Sequence, residues 1–105
     1  MRVIAISTLS RFWAKHPKAK SALVNWHEEV KNSNWLTPAD VKAKFVTASI
    51  LQNKRVVFNI AGNSYRLVVA IDYKRQIVFI KFLGTHAEYD QINAQTSEFK
   101  RIEES

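Results

Sequence analysis

The spacing of hydrophobic positions changes about half-way along the chain. In the first half, apolar residues recur at intervals of three and four, and the most regular series is Ala19, Ala22, Leu23, Trp26 and Val30. That spacing predicts an amphipathic helix. In the second half, apolar residues come in runs rich in Val, Ile, Phe and Tyr, which is typical of strands. The pattern therefore predicts helices first and a sheet afterwards.

The N-terminal segment is predicted to form a strand followed by two helices. The β-branched run at residues 3–6 favours a short strand, and Ser7 is placed to cap the helix that follows. The pair His16 and Pro17 ends this helix and starts the next, because proline suits the first helical position. The polar run at residues 32–34 ends the second helix.

A third, shorter helix is predicted after this break. Thr37 can cap it, Pro38 occupies its first turn, and Asp40 lies near the positive end of the helix dipole. The helix is expected to end near Phe45, which leaves residues 46–53 as a connector.

The second half predicts a three-stranded meander. Residues 55–60, 64–73 and 76–83 are the predicted strands, and their short connections favour antiparallel neighbours. A short helix is expected from about His86. The whole is a single α+β domain, residues 1–105, in which an N-terminal strand and two to three helices pack on an antiparallel sheet in the order β-α-α-β-β-β.

The charge of the chain is uneven, with +5 in residues 1–53, +5 in residues 54–81 and −3 in residues 82–105. The net charge is +7, and residues 54–81 hold six Lys or Arg against a single acidic residue, Asp72. A basic body favours a polyanionic partner, nucleic acid first, although a surface that only keeps a protein soluble can have the same charge. The absence of cysteine excludes thiolate metal sites. The short apolar run at the N-terminus suits neither a signal peptide nor a membrane span, so we expect a cytoplasmic protein.

Arg66 stands out inside an apolar strand. It lies in the run YRLVVAI, where its neighbours on the same face are small or apolar. A guanidinium in such surroundings needs water, an anionic ligand, or an acidic partner such as Asp72 or Asp90. The sequence leaves a structural arginine and a ligand-binding arginine both open.

A second group of candidates follows the last strand. His86 and Tyr89 are three residues apart and would share a helical face, and Lys81 precedes them on the strand. An imidazole, a phenol and fixed cations are the groups that metal-free RNA cleavage requires. The structural alternative is that His86 caps the helix while Tyr89 packs on the sheet. No metal site is expected, because the three histidines have no recognisable zinc spacing.

A resemblance to a known family is carried by residues 56–90, which read VVFNIAGNSYRLVVAIDYKRQIVFIKFLGTHAEYD. The pattern FNIxGNxYRLVxxI followed by THxEYD resembles HigB-type toxins of the RelE/HigB superfamily of type II toxin–antitoxin systems. The segments RFWAKHPKAK and LTPADVKAKF are similar to the family as well. The resemblance implies a microbial-ribonuclease-like fold and an mRNA interferase, an endoribonuclease that acts on the ribosome without metal or other cofactor.

The resemblance also implies roles and partners. Arg66 corresponds to the arginine that binds the scissile phosphate, His86 and Tyr89 to acid–base and base-stacking residues, and Lys81 to a cation of the cleft. The residues expected to bind RNA are Lys54, Arg55, Lys74 and Arg75. The implied partners are mRNA, the ribosome and a HigA-like helix-turn-helix antitoxin, with operator DNA bound only through the antitoxin complex and no membrane.

A second class of function uses the same scaffold. A non-catalytic RNA- or protein-binding module would share the basic sheet and the fold. Primer extension on cellular mRNA separates the two, because only an interferase produces defined breaks.

Overall fold

A computed structural model describes residues 1–93 of the chain. Residues 94–105 of the predicted domain lie outside the described residues. The elements are β1 (Arg2–Ile4), α1 (Ser7–Lys15), a 3-10 turn (Pro17–Ala19), α2 (Lys20–Lys31), α3 (Pro38–Lys44), β2 (Ser49–Ile50), β3 (Arg55–Ile60), β4 (Tyr65–Asp72), β5 (Ile77–Thr85) and α4 (His86–Tyr89). The predicted α+β class is confirmed, with helices before the main strands.

Within residues 1–93 the strands form one five-stranded sheet in the order β1-β5-β4-β3-β2. The predicted meander is present as antiparallel β3, β4 and β5. β1 lies parallel to β5, so the N-terminal strand makes the sheet mixed and not antiparallel throughout. β2 pairs with the start of β3, so the segment predicted as a connector contains a two-residue edge strand.

The helix ends confirm one predicted cap and correct another. Ser7 is the first residue of α1, and Ile6 holds the cap position without a side-chain hydrogen bond. The Ser7 cap is therefore wrong, because the carbonyls of Ala5 and Ile6 already accept the first amides of the helix. At α3 the capping box is formed: the Asp40 N–H donates to Thr37 Oγ1, and the Thr37 N–H donates to the Asp40 carboxylate.

Helices α1, α2 and α3 supply the main apolar core on one face of the sheet. The buried side of α2 contributes Leu23, Trp26 and Val30, and the sheet meets it with alternate residues such as Phe58 and Val69. This arrangement confirms the amphipathic helix that was predicted from the spacing of apolar residues in the first half of the sequence. In the described part of the chain, no helix has the length and apolar character needed to cross a bilayer.

The opposite face of the sheet, here called the site face, carries a smaller apolar cluster. Val57, Val68 and Phe82 are buried there, and Tyr89 and Ile92 pack against them from α4 and the residues that follow it. The sheet is therefore apolar on both faces, as its sequence predicted, and among the described residues Leu51, α4 and Ile92 cover the apolar part of the site face.

A β-bulge in β5 determines which side chains reach the site face. Val68 pairs with Phe82 and Val69 pairs with Ile80, so Lys81 is the extra residue. Phe79 pairs with Ala70, which places Phe79 and, by alternation, Lys81 on the site face. The bulge then returns Phe82 to that same face. Two consecutive side chains, one cationic and one aromatic, thus point to the same side.

Candidate active site

Cross-strand pairing arranges the site face in three rows. The rows are Asn59–Arg66–Gly84, Val57–Val68–Phe82 and Arg55–Ala70–Phe79. Four residues of strand separate the first row from the third, a distance of about 13 Å. We call the two ends of this face the Arg66 end and the Arg55 end.

Arg66 is nearly buried, with 9 % of the residue exposed, and its guanidinium is held by the β3–β4 turn. Its Nη1 donates to the carbonyl oxygens of Asn63 and Tyr65 at 3.1 and 3.2 Å, and its Nη2 donates to Asn63 Oδ1 at 2.8 Å. The acids considered from the sequence are engaged elsewhere, Asp72 with Arg75 and Asp90 with His86. Within residues 1–93 this cation therefore has only neutral oxygens as acceptors.

Helix α4 begins where β5 ends and is tied to the turn that holds Arg66. The Glu88 N–H donates to Thr85 Oγ1 at 3.2 Å, and the Thr85 N–H donates to Glu88 Oε1 at 2.8 Å. Thr85, and not His86, is therefore the cap. The His86 N–H donates to the carbonyl of Ser64 at 3.2 Å, which joins the start of α4 to the β3–β4 turn.

The His86 side chain is exposed and is oriented by an acid one turn later. Its Nδ1 lies 3.2 Å from Asp90 Oδ2. Because the carboxylate engages Nδ1, Nε2 is the ring nitrogen left to meet a ligand or to transfer a proton.

Tyr89 packs on the sheet, as the structural alternative expected. Its ring centroid lies 6.4 Å from that of Phe82 at an interplanar angle of 51°. Phe82 belongs to the second row, so the Tyr89 ring is held one row away from Arg66. The packing fixes the position of the phenol, and the residue it packs on, Phe82, is not one of the predicted site residues.

Gly84 allows α4 to lie close to the first row. A Cβ at this position would be 2.7 Å from both Glu88 Oε1 and Phe82 Cζ. Glycine is therefore required because the Glu88 carboxylate and the Phe82 ring close over the strand where a side chain would stand. Gly84 pairs with Arg66, so α4 lies against the row that contains Arg66.

The remaining predicted cations lie away from the Arg66 end. Lys81 Nζ lies 5.8 Å from the centroid of the Phe79 ring, between the second and third rows. The Lys54 carbonyl accepts the N–H of Ile71, which brings the β2–β3 turn beside the β4–β5 turn that carries Lys74 and Arg75. With Arg55 in the third row, these residues form a basic Arg55 end about 13 Å from Arg66.

Asn59 is a polar residue of the site face that the sequence analysis missed. It pairs with Arg66 across the strands and is half-buried. The alternation of Arg55, Val57 and Asn59 along β3 was the available signal, because it places all three on the face of Arg66.

The other histidines lie on the helical side of the molecule. The His16 ring stacks on Phe12, with centroids 4.4 Å apart. His27 lines a cavity of about 210 Å³ between α1 and α2, together with Leu9 and Trp13. None of the predicted site residues lines this cavity, so it is separate from the site face.

The sequence of this chain matches that of a known protein family. Residues 19–92, from the 3-10 turn through α4, match the profile of HigB toxins, described as the RelE-like toxic component of a toxin–antitoxin system. The chain belongs to the HigB toxin family. The family resemblance carried by residues 56–90 is thereby confirmed.

This HigB toxin is similar to two Escherichia coli proteins over most of its length. The mRNA interferase HigB of strain O6:H1 is 26% identical over 102 residues, which cover 95% of this chain and 99% of the relative. The mRNA interferase toxin HigB of strain K12 is 29% identical over 96 residues, which cover 90% and 92%. The similarity therefore spans the helical layer, the sheet and α4.

Proposed function

We propose that this HigB toxin is an mRNA endoribonuclease in which Arg66, His86 and Tyr89 are catalytic and Lys81 assists. One observation carries the proposal: Arg66 is a nearly buried cation on the site face, beside α4, with only neutral acceptors within residues 1–93. The activity named for both relatives, mRNA interferase, is in keeping with it.

The hydrogen bonds of Arg66 leave some of its N–H donors for an anion. A guanidinium has five N–H donors, and three of them bond to the β3–β4 turn. The two that remain, one on Nε and one on Nη2, can donate to the oxygens of a phosphate. A nearly buried cation with no acidic partner among residues 1–93 is costly, so a phosphodiester that supplies a negative charge is favoured beside Arg66.

The reaction that suits these groups is internal attack. The ribose 2′-oxygen bonds to phosphorus while the bond to the leaving 5′-oxygen breaks, which gives a 2′,3′-cyclic phosphate and a 5′-hydroxyl. Arg66 stabilises the charge that grows on the phosphate oxygens. His86 Nε2, with Nδ1 held by Asp90, and the Tyr89 hydroxyl share the removal of the 2′ proton and the protonation of the 5′-oxygen.

The basic Arg55 end gives the RNA a path beyond the reacting phosphate. Lys81 lies between the second and third rows, Arg55 lies in the third row, and Lys54, Lys74 and Arg75 lie in the two turns next to Arg55. Cations spaced along about 13 Å of sheet contact several phosphates without reading their bases. We assign Lys54, Arg55, Lys74 and Arg75 to substrate binding and not to the chemical step, in which Lys81 assists.

The test compares Arg66 variants with an arginine elsewhere. We expect Arg66→Ala to lower mRNA cleavage, measured by primer extension, by at least about a hundredfold, because a charge-stabilising donor is lost. Arg66→Lys should retain partial activity, since it keeps the charge without the guanidinium donors. Arg11→Ala, an exposed arginine of α1, is the matched control and should cleave like the parent.

Thermal melting separates catalysis from folding in these variants. A folded Arg66→Ala protein that arrests growth as strongly as the parent contradicts the placement of the site. The placement is also contradicted if the single variants His86→Ala and Tyr89→Phe both arrest growth like the parent. Binding of mRNA by the parent without any breaks would instead support the non-catalytic binding module.

We also propose the setting in which the toxin acts. Family membership makes an antitoxin its partner. We propose that this antitoxin is HigA-like with a helix-turn-helix, that operator DNA is bound only through the complex, and that cleavage occurs on ribosomes in the cytoplasm. Co-expression of the adjacent reading frame should restore growth, and ribosome-free mRNA should be cleaved much more slowly.

A further inference from the structure

We infer that Asn59 binds the 2′-hydroxyl of the nucleotide whose phosphate Arg66 holds, so that it positions the attacking oxygen and selects RNA over DNA. This inference rests on the proposed function, because it assigns a substrate contact within the same site.

The position of Asn59 follows from strand register. It pairs directly with Arg66, and side chains opposite each other on one face have Cβ atoms about 5 Å apart. The 2′-oxygen is attached to the carbon next to the one that carries the scissile phosphate. The Asn59 amide, one strand away from the guanidinium that binds the phosphate, therefore lies closer to the ribose of that nucleotide than to its base.

The amide of Asn59 is available to a ligand. Its side chain makes no hydrogen bond within residues 1–93, whereas the amide oxygen of Asn63 is occupied by Arg66. Asn59 is half-buried, and β2 pairs only with Val56 and Val57, so this part of β3 lies at an open edge of the described sheet. An accessible, unpartnered amide beside a phosphate-binding cation is placed for substrate and contributes nothing to the core.

The chemistry of an amide suits a hydroxyl. Asn offers both a donor and an acceptor, and the 2′-hydroxyl is likewise both, which is the feature that distinguishes RNA from DNA. The neighbouring site-face residues of β3 and β4, Val57 and Val68, can supply neither.

The test uses a probe that cannot be cleaved at the contact. An oligodeoxynucleotide with a 3′-phosphate is prepared with its last residue as either ribose or 2′-deoxyribose, and binding of each is measured by fluorescence anisotropy. We expect the parent to bind the ribose probe roughly two- to tenfold more tightly, the value of one neutral hydrogen bond. Asn59→Leu should bind both probes equally, while Asn25→Leu, an exposed control on α2, should keep the preference.

A second variant, Asn59→Asp, keeps the inference testable if Asn59→Leu does not fold. Asn59→Asp places a carboxylate opposite Arg66 and should weaken binding of both probes, because it competes with their phosphate for the guanidinium. The inference is overturned if the parent binds the probes equally or not at all, if Asn59→Leu keeps the preference, or if Asn59→Asp binds like the parent. The proposed function fails separately, if the parent leaves mRNA intact.

Discussion

Replacing Gly84 with alanine tests how closely α4 is fitted to the sheet. The added Cβ would lie 2.7 Å from Glu88 Oε1, 2.7 Å from Phe82 Cζ and 3.2 Å from Phe82 Cε2. Carbon atoms prefer separations of about 3.5–4.0 Å, so the overlap with the ring is roughly 1 Å. Neither neighbour moves easily, because Phe82 is fully buried and Glu88 accepts the Thr85 N–H that closes the cap.

The cost follows from these two obstacles. Overpacking a well-packed core costs about 1–3 kcal/mol. We therefore expect the free energy of unfolding of Gly84→Ala to fall by about 2 kcal/mol, the middle of that range. In a domain of this size each kcal/mol lowers the melting temperature by roughly 4–8 °C, so Tm should fall by about 8–16 °C in a circular-dichroism melt.

A double-mutant cycle identifies which neighbour is responsible. If the Glu88 carboxylate contributes to the clash, Gly84→Ala combined with Glu88→Ala should be less destabilised than the sum of the single changes, since the added methyl then has room. Strict additivity would assign the whole cost to Phe82. A Gly84→Ala protein that melts within about 2 °C of the parent would refute the close fit of α4.

Four further predictions concern other parts of the molecule. Ala5→Gly and Lys54→Gly should each raise stability by up to about 1 kcal/mol, because both residues have φ values in the left-handed region (74° and 59°). Of these two variants, only Lys54→Gly should weaken RNA binding, and it should reduce the slope of the log binding constant against log salt concentration by about 0.7. An unchanged slope would mean that Lys54 does not contact the RNA. Burial, and secondarily Asp40, raises the pKa of Tyr73, so above pH 10 the unfolded chain ionises first and stability falls. The stability of Tyr73→Phe should therefore fall less than that of the parent above pH 10. Identical stability–pH profiles for the two proteins would contradict this prediction. Tyr89→Phe should melt like the parent yet cleave mRNA more slowly, whereas parent-like cleavage would leave Tyr89 a packing residue.

The fold was predictable where local signals and packing agree. The α2 spacing and the Thr37–Asp40 cap each specify a helix through nearby residues, and both are present. β2 was missed because only Ser49 and Ile50 pair, and a two-residue edge strand has no periodicity to detect. The parallel pairing of β1 with β5 depends on contacts 75 residues apart, such as Arg2 with Ile77, which no local pattern encodes.

The candidate site was predictable only in part. Alternation along β4 singled out Arg66, but its neutral partners in the β3–β4 turn emerge only from the folded turn. The bulge at Lys81 shifts the register of β5, so strict alternation would have turned Phe82 away from the site face. Asn59 was overlooked because asparagine in an apolar strand carries no charge to draw attention to it.

The shortness of α4 bears on how the toxin responds to heat. A single turn of helix, His86–Tyr89, has little stability of its own, and within the described residues it is held by its capping box, a hydrogen bond to Ser64 and packing of Tyr89 on Phe82. Small local openings of this kind need far less energy than global unfolding. We expect cleavage to fade on warming while the far-ultraviolet signal of the sheet is still intact, so that loss of toxicity precedes loss of structure.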